Sequence, residues 1–141
     1  MSPRADPFLG FNFIVKIQKI AVAGFSEVVL PEQRARYIEY REAGSAKSQR
    51  VLAGISYGPL VLRRGVEKGT DLEDWWQQVV SGAPQARSGS VVLLDAQRRP
   101  ATSWYFTGAL PVAYRTSTLS AVKSRVVIES LELSVESLRR T

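Results

Sequence analysis

Apolar side chains recurring at every second position constrain this chain more than any other feature, because that period commits it to strands packed on one face. Phe11, Phe13, Val15 and Ile17 alternate with Asn12, Ile14, Lys16 and Gln18, which predicts a first strand with an aromatic inner face. Gly24 breaks the pattern; residues 25–30 then read as a second strand ended by Pro31, and residues 36–41 as a third. Near the C-terminal end Leu131, Leu133 and Val135 alternate with Ser130, Glu132, Ser134 and Glu136, so residues 125–138 form a long strand with one buried and one wet face. Between these ends, residues 58–64 read as a strand, and 90–94 with 103–109 as a hairpin turning through 95–100.

One segment carries the helical period instead. Leu72, Trp75, Trp76, Val79 and Val80 fall on a single stripe, which predicts a helix over 71–81 laid on a sheet. Thr70 and Glu73 have capping-box spacing, Gly82 suits the C-terminal cap, and Pro84 stops continuation. Strands, one helix, then more strands describe a mainly β protein: an antiparallel β-barrel or sandwich with one flanking α-helix. Its 141 residues suit a single domain spanning 1–141. Residues 43–57, rich in Gly, Ala, Ser and basic side chains, read as a long loop, which in a compact domain is usually functional or disordered.

Several function classes fall away. The chain has no cysteine and no histidine, which removes disulfides, thiolate metal sites, thiol nucleophiles and the commonest general base. Gly54-Ile55-Ser56-Tyr57-Gly58 has the letters of a nucleophile elbow, but the elbow needs a strand before the serine, a helix after it and a histidine partner. Asp71, Glu73 and Asp74 crowd the first helical turn, where the helix dipole explains them without a metal. Trp75 and Trp76 belong to the apolar stripe and read as packing residues. No phosphate-cradling glycine motif is present. Catalytic, metal and cofactor sites are therefore all expected to be absent.

No apolar run approaches the roughly 20 residues of a membrane-spanning helix. Met1 to Gly10 lacks the apolar stretch of a secretory signal, so a folded life inside the producing cell is expected. The net charge of +6 would suit a polyanion. Its densest stretch, Arg34, Arg36, Arg41, Lys47 and Arg50, is interleaved with Glu32, Glu39 and Glu42 and reads better as a solvated or subunit-contacting face. A nucleic-acid-binding β-barrel is the alternative of another class.

Beyond these patterns, segments over most of the chain resemble the tail tube proteins of contractile phages and phage-derived extracellular injection systems. Asp6-Pro7-Phe8 with Phe11-Asn12-Phe13-Ile14-Val15 resembles their first strand, and Gly24-Phe25-Ser26-Glu27-Val28 the next. Ile38-Glu39-Tyr40-Arg41-Glu42-Ala43-Gly44 is close to the family's I-E-Y-R-E-G-G, and Leu62-Arg63-Arg64-Gly65-Val66 to its L-K-R-G-[VI]. Val92-Leu93-Leu94-Asp95, Trp104, residues 109–111 and Ile128-Glu129-Ser130-Leu131-Glu132-Leu133 follow in order. The sequence departs from the pattern in lacking a proline before Gly54 and the Ala-His-Glu-Gly ending after Leu133.

The resemblance implies hexameric rings stacked into an inner tube around a lumen that passes DNA or effector proteins. It also implies a contractile sheath and baseplate or tube-initiator partners, no membrane insertion, and assembly in the bacterial cytoplasm as part of a phage tail or injection particle. A minor paralogue, such as an initiator or cap ring, and a type VI secretion tube subunit share the same features. The loop at 43–57 would bridge stacked rings, with Lys47 and Arg50 offering charge and Val51, Leu52 and Ile55 apolar area. Gly44 and Gly54 leave it little side-chain mass of its own.

Overall fold

The computed structural model describes residues 12–44, 46–66, 69–117 and 127–141. The sequence matches at residues 6–8 and Phe11, and the expected strand start at Arg125, lie outside them. In chain order the elements are β1 (Phe13–Ile17), β2 (Ile20–Phe25), β3 (Glu27–Val29), β4 (Gln33–Arg41), β5 (Ser48–Tyr57), β6 (Leu60–Gly65), α1 (Asp71–Val80), β7 (Arg87–Leu94), β8 (Pro100–Thr116), β9 (Ile128–Ser134) and β10 (Ser137–Arg140). Strands β4 and β5 form a two-stranded sheet of their own, and the rest form one sheet in the order β2-β1-β7-β8-β9-β6-β3 with β10 on β8. Every pairing is antiparallel.

That sheet closes on itself because its two end strands are consecutive in the chain. β2 pairs with β1 and β3 with β6, and the bend between them is pinned where the Ser26 N–H and hydroxyl both donate to the Arg63 carbonyl, at 3.1 and 3.2 Å. The expected single strand over 25–30 is thus two strands serving opposite ends of the sheet. The 17-residue β8 makes another corner, with its first half on β7 and its second half on β9. Bringing the two ends together curls the sheet around one core, although β2 and β3 have no ladder with each other. The expected strand over 125–138 is also divided: β9 bends into β10 opposite Gly108, whose φ of 62° suits glycine and where a Cβ would meet the Glu136 side chain at 2.4 Å.

Alternation fills the barrel as the sequence predicts. Val15, Phe25, Leu60, Leu62, Val91, Phe106, Leu131 and Leu133 are each 1% exposed or less, and each contributes about 1.5 to 3 kcal/mol by leaving water. β1 and β7 approach so closely that a Cβ on Gly89 would lie 2.2 Å from the Lys16 carbonyl oxygen and 2.8 Å from Phe106. Helix α1 adds Leu72 and Trp75 to this core, and the Trp75 indole N–H donates to the Gln85 carbonyl at 2.9 Å. The rest of the expected stripe is less covered, since Val80 is 62% exposed. The expected capping box does not form: Thr70 makes no side-chain cap and its hydroxyl donates instead to Asp74 Oδ2 at 3.0 Å.

One polar cluster sits inside the barrel. Arg64 Nε donates to Glu129 Oε1 at 2.7 Å, the Tyr114 hydroxyl donates to Glu129 Oε2 at 2.6 Å, and the Arg64 guanidinium stacks 5.1 Å from the centre of the Phe25 ring. Arg64 and Glu129 are direct cross-strand partners, so the pair holds the β6–β9 register from within. Burial first, then the Glu129 carboxylate beside it, push the Tyr114 hydroxyl well above the usual phenol range.

Candidate assembly surface

The segment expected to be a loop over 43–57 is half of a ribbon. β5 occupies Ser48–Tyr57 and pairs with β4 along its length, from Gln33 opposite Tyr57 to Arg41 opposite Ser48. Only the turn between the two strands, with Gly44 at φ 81°, remains of the loop. At its base the Gly58 N–H donates to the Glu32 carbonyl at 2.8 Å, and Pro31 is buried. Beyond that base no residue of β4 or β5 is buried.

Register divides the ribbon into two faces. Tyr37 is opposite Leu52, Glu39 opposite Arg50, and Ala35 opposite Ile55, which places these six on one face. Ile38 opposite Val51, Tyr40 opposite Gln49, and Arg36 opposite Gly54 occupy the other. The ladder skips Ala53, a bulge that puts Leu52 and Ile55 on the same face although three positions apart. Polar contacts tie the strands across: Ser48 Oγ donates to Glu39 Oε1 at 2.7 Å and the Tyr40 hydroxyl to Gln49 Oε1 at 2.8 Å. Such exposed contacts add little stability, and a two-stranded ribbon is at best marginal in water by itself.

Both faces nevertheless carry large apolar side chains. Tyr37 is 59% exposed, Leu52 53%, Ile55 52%, Ile38 52% and Val51 49%. Apolar surface on both sides of a projecting arm marks an interaction element. The seven residues singled out from sequence therefore do not form one patch. Gly44 and Lys47 lie at the turn, Arg50, Leu52 and Ile55 on one face, and Val51 and Gly54 on the other. Sequence reasoning missed Tyr37, Ile38 and Tyr40 of β4, which line the same two faces. The signal was available in the apolar content of residues 37–40, which no covering element accounts for.

Ser56 lies within strand β5 opposite Arg34, without the strand-to-helix turn that a nucleophile elbow needs. Among the described residues no three carboxylates cluster as a metal site, and no helix is long and apolar enough to cross a membrane.

The fold has counterparts. The family model for the T4-like virus tail tube protein gp19 matches residues 9–139. A chain in the structure of the anti-feeding prophage baseplate, 6-fold symmetrised, is 25% identical with a TM-score of 0.75, over 100% of this chain and 97% of that one. A chain of the sheath-tube complex of an extracellular contractile injection system, PVC, in the extended state has 18% identity and a TM-score of 0.78, over 96% of this chain and 91% of that one. Hcp1 from Salmonella typhimurium shares the fold at 16% identity and a TM-score of 0.62, covering 94% and 86% of the two chains. Among curated proteins no sequence matches. With the family model spanning nearly the whole closed barrel and its arm, this chain belongs to the T4-like virus tail tube protein family and is a structural tube subunit.

Proposed function

We propose that copies of this chain join into rings, hexameric as the family resemblance implies, that stack as the inner tube of a contractile injection particle, with the β4–β5 arm as the element gripping neighbouring copies. The observation that carries this reading is the arm itself, a ribbon with exposed apolar side chains on both faces and none buried in its own subunit. A ribbon covered on one face would need only one neighbour; apolar area on both faces calls for two. Gly44, Lys47, Arg50, Val51, Leu52, Gly54 and Ile55 contribute to those contacts together with Tyr37, Ile38 and Tyr40.

A sheath and a baseplate or initiator ring are the partners this reading names, and the neighbouring structures of a sheath-tube complex and a baseplate support it. DNA or an effector protein is the cargo, the bacterial cytoplasm the place of assembly, and the role is structural, without catalysis.

Excising residues 34–56 and joining Gln33 to its cross-strand partner Tyr57 through a short Gly-Ser linker tests the arm, because the two strands already meet there, with the Gly58 N–H 2.8 Å from the Glu32 carbonyl. The expected product is a folded barrel that forms no tubes in electron micrographs under conditions where the intact chain does. Full-length tubes from the armless chain would refute the assignment.

A further inference from the structure

The two sheet faces that point away from the core differ in charge. On the half built from β3, β6, β9 and the end of β8, charges neutralise one another: Arg63 pairs with Glu27 at 2.7 Å and Arg115 with Glu132 at 3.4 Å. On the half built from β1, β7, the start of β8 and β10, the register places Lys16, Ser90, Ser103, Tyr105 and Arg139 outward together. Three shallow depressions cross this second face, and they run together because Lys16 lines two of them and Tyr105 lines two. No aspartate or glutamate lines any of the three; Glu136 stands beyond them, over Gly108 at the β9–β10 bend. Lys16 and Arg139 are both exposed, Tyr105 is 37% exposed, and Tyr57 borders the depression beside Arg139.

We infer that this furrow contacts the phosphate backbone of a nucleic-acid strand, and that it is the surface turned to the channel. Lys and Arg with interspersed hydroxyl donors are the side chains that meet phosphate oxygens. A basic groove with aromatic rings beside it suits a strand whose bases stack. An acidic polypeptide would meet the same cations but brings no regular series of bases to stack on Tyr57 and Tyr105, which is why the strand is favoured. Placement at the channel rests on the tube reading, whereas the contact itself does not.

The test measures binding of a fluorescent 30-nucleotide single strand to purified protein as a function of salt, while electron microscopy follows assembly separately. The double charge reversal Lys16→Glu with Arg139→Glu is compared with Arg34→Glu with Arg36→Glu on the arm, which changes net charge equally. The furrow variant is expected to assemble, to bind more than about tenfold more weakly, and to lose about 1.4 from its log-log salt slope for two phosphate contacts, with Lys16→Gln and Arg139→Gln intermediate. The arm variant is expected to keep its binding even where it loses tubes. Equal losses in both variants would reduce the effect to net charge and overturn the proposal. Binding of polyglutamate but not of the strand would overturn it in favour of a protein cargo, and loss of assembly in the furrow variants alone would make this face a subunit contact instead. Tubes from intact protein without strand binding would sink the furrow and leave the tube reading standing; strand binding without tubes would do the reverse.

Discussion

Replacing Leu52 and Ile55 together by serine separates assembly from folding, because the two sit on one face of the arm and neither is buried in its own subunit. They are 53% and 52% exposed, so roughly half of each side chain remains to be covered by a neighbour. Full burial of such side chains is worth about 1.5 to 3 kcal/mol, which leaves about 1 kcal/mol each and about 2 kcal/mol for the pair at every contact. Because 1.4 kcal/mol is a factor of ten in an equilibrium constant, the critical concentration for tube growth should rise by about thirtyfold. The isolated subunit should change by no more than about 0.5 kcal/mol, as exposed substitutions usually do. Sedimentation across a concentration series reads the first quantity and thermal unfolding under non-assembling conditions the second. An unchanged critical concentration would remove the arm from the interface, and a loss of subunit stability near 2 kcal/mol would mean that these side chains serve the fold.

Four further outcomes follow from the geometry. Glu129→Ala takes away the carboxylate paired with the buried Arg64 cation and should cost about 3 to 5 kcal/mol in chemical denaturation, whereas Tyr114→Phe, which removes one hydrogen bond to that carboxylate, should cost about 1 to 3 kcal/mol. The Tyr114 hydroxyl titrates higher in the folded chain than its ordinary 10.0, so its contribution is complete below pH 10 and is lost as pH rises above it; denaturation above pH 10 should be less steeply pH-dependent in Tyr114→Phe. Gly89→Ala forces a Cβ to 2.2 Å from the Lys16 carbonyl oxygen and should lower stability by about 3 kcal/mol or abolish soluble expression. Ser56→Ala should alter neither unfolding nor any hydrolytic rate, since no base activates that hydroxyl; a hydrolase activity abolished by it would contradict the structural role.

Legibility in the sequence followed burial. Strands with one wet and one dry face announced themselves: Val15 and Ile17, then Leu131 and Leu133, alternate because the barrel takes one side of each. The helix was legible from its stripe, ending at Val80 where 81 was expected. β5 was not legible for the opposite reason. A ribbon wet on both faces has no contrast to alternate, and the bulge at Ala53 shifts Ile55 out of step with Leu52. The bends at Ser26 and near Gly108 escaped as well, because each depends on a distant partner, Arg63 in one case and Glu136 in the other. The Arg64–Glu129 pair was hidden by its own chemistry, since a lone charge within a strand ordinarily reads as a solvent-facing position. The exposed ribbon was half read: its β5 residues were singled out from composition and resemblance, while the β4 residues opposite them were read as an ordinary sheet strand.

A cryo-electron microscopy map of the assembled protein would show directly where the β4–β5 arm lies. Tubes are expected in which residues 33–57 of every copy are clamped between neighbours, with Tyr37, Leu52 and Ile55 covered by one copy and Ile38 and Val51 by another. Tubes in which the arm projects into solvent, with rings held together by the barrel walls alone, would contradict that arrangement.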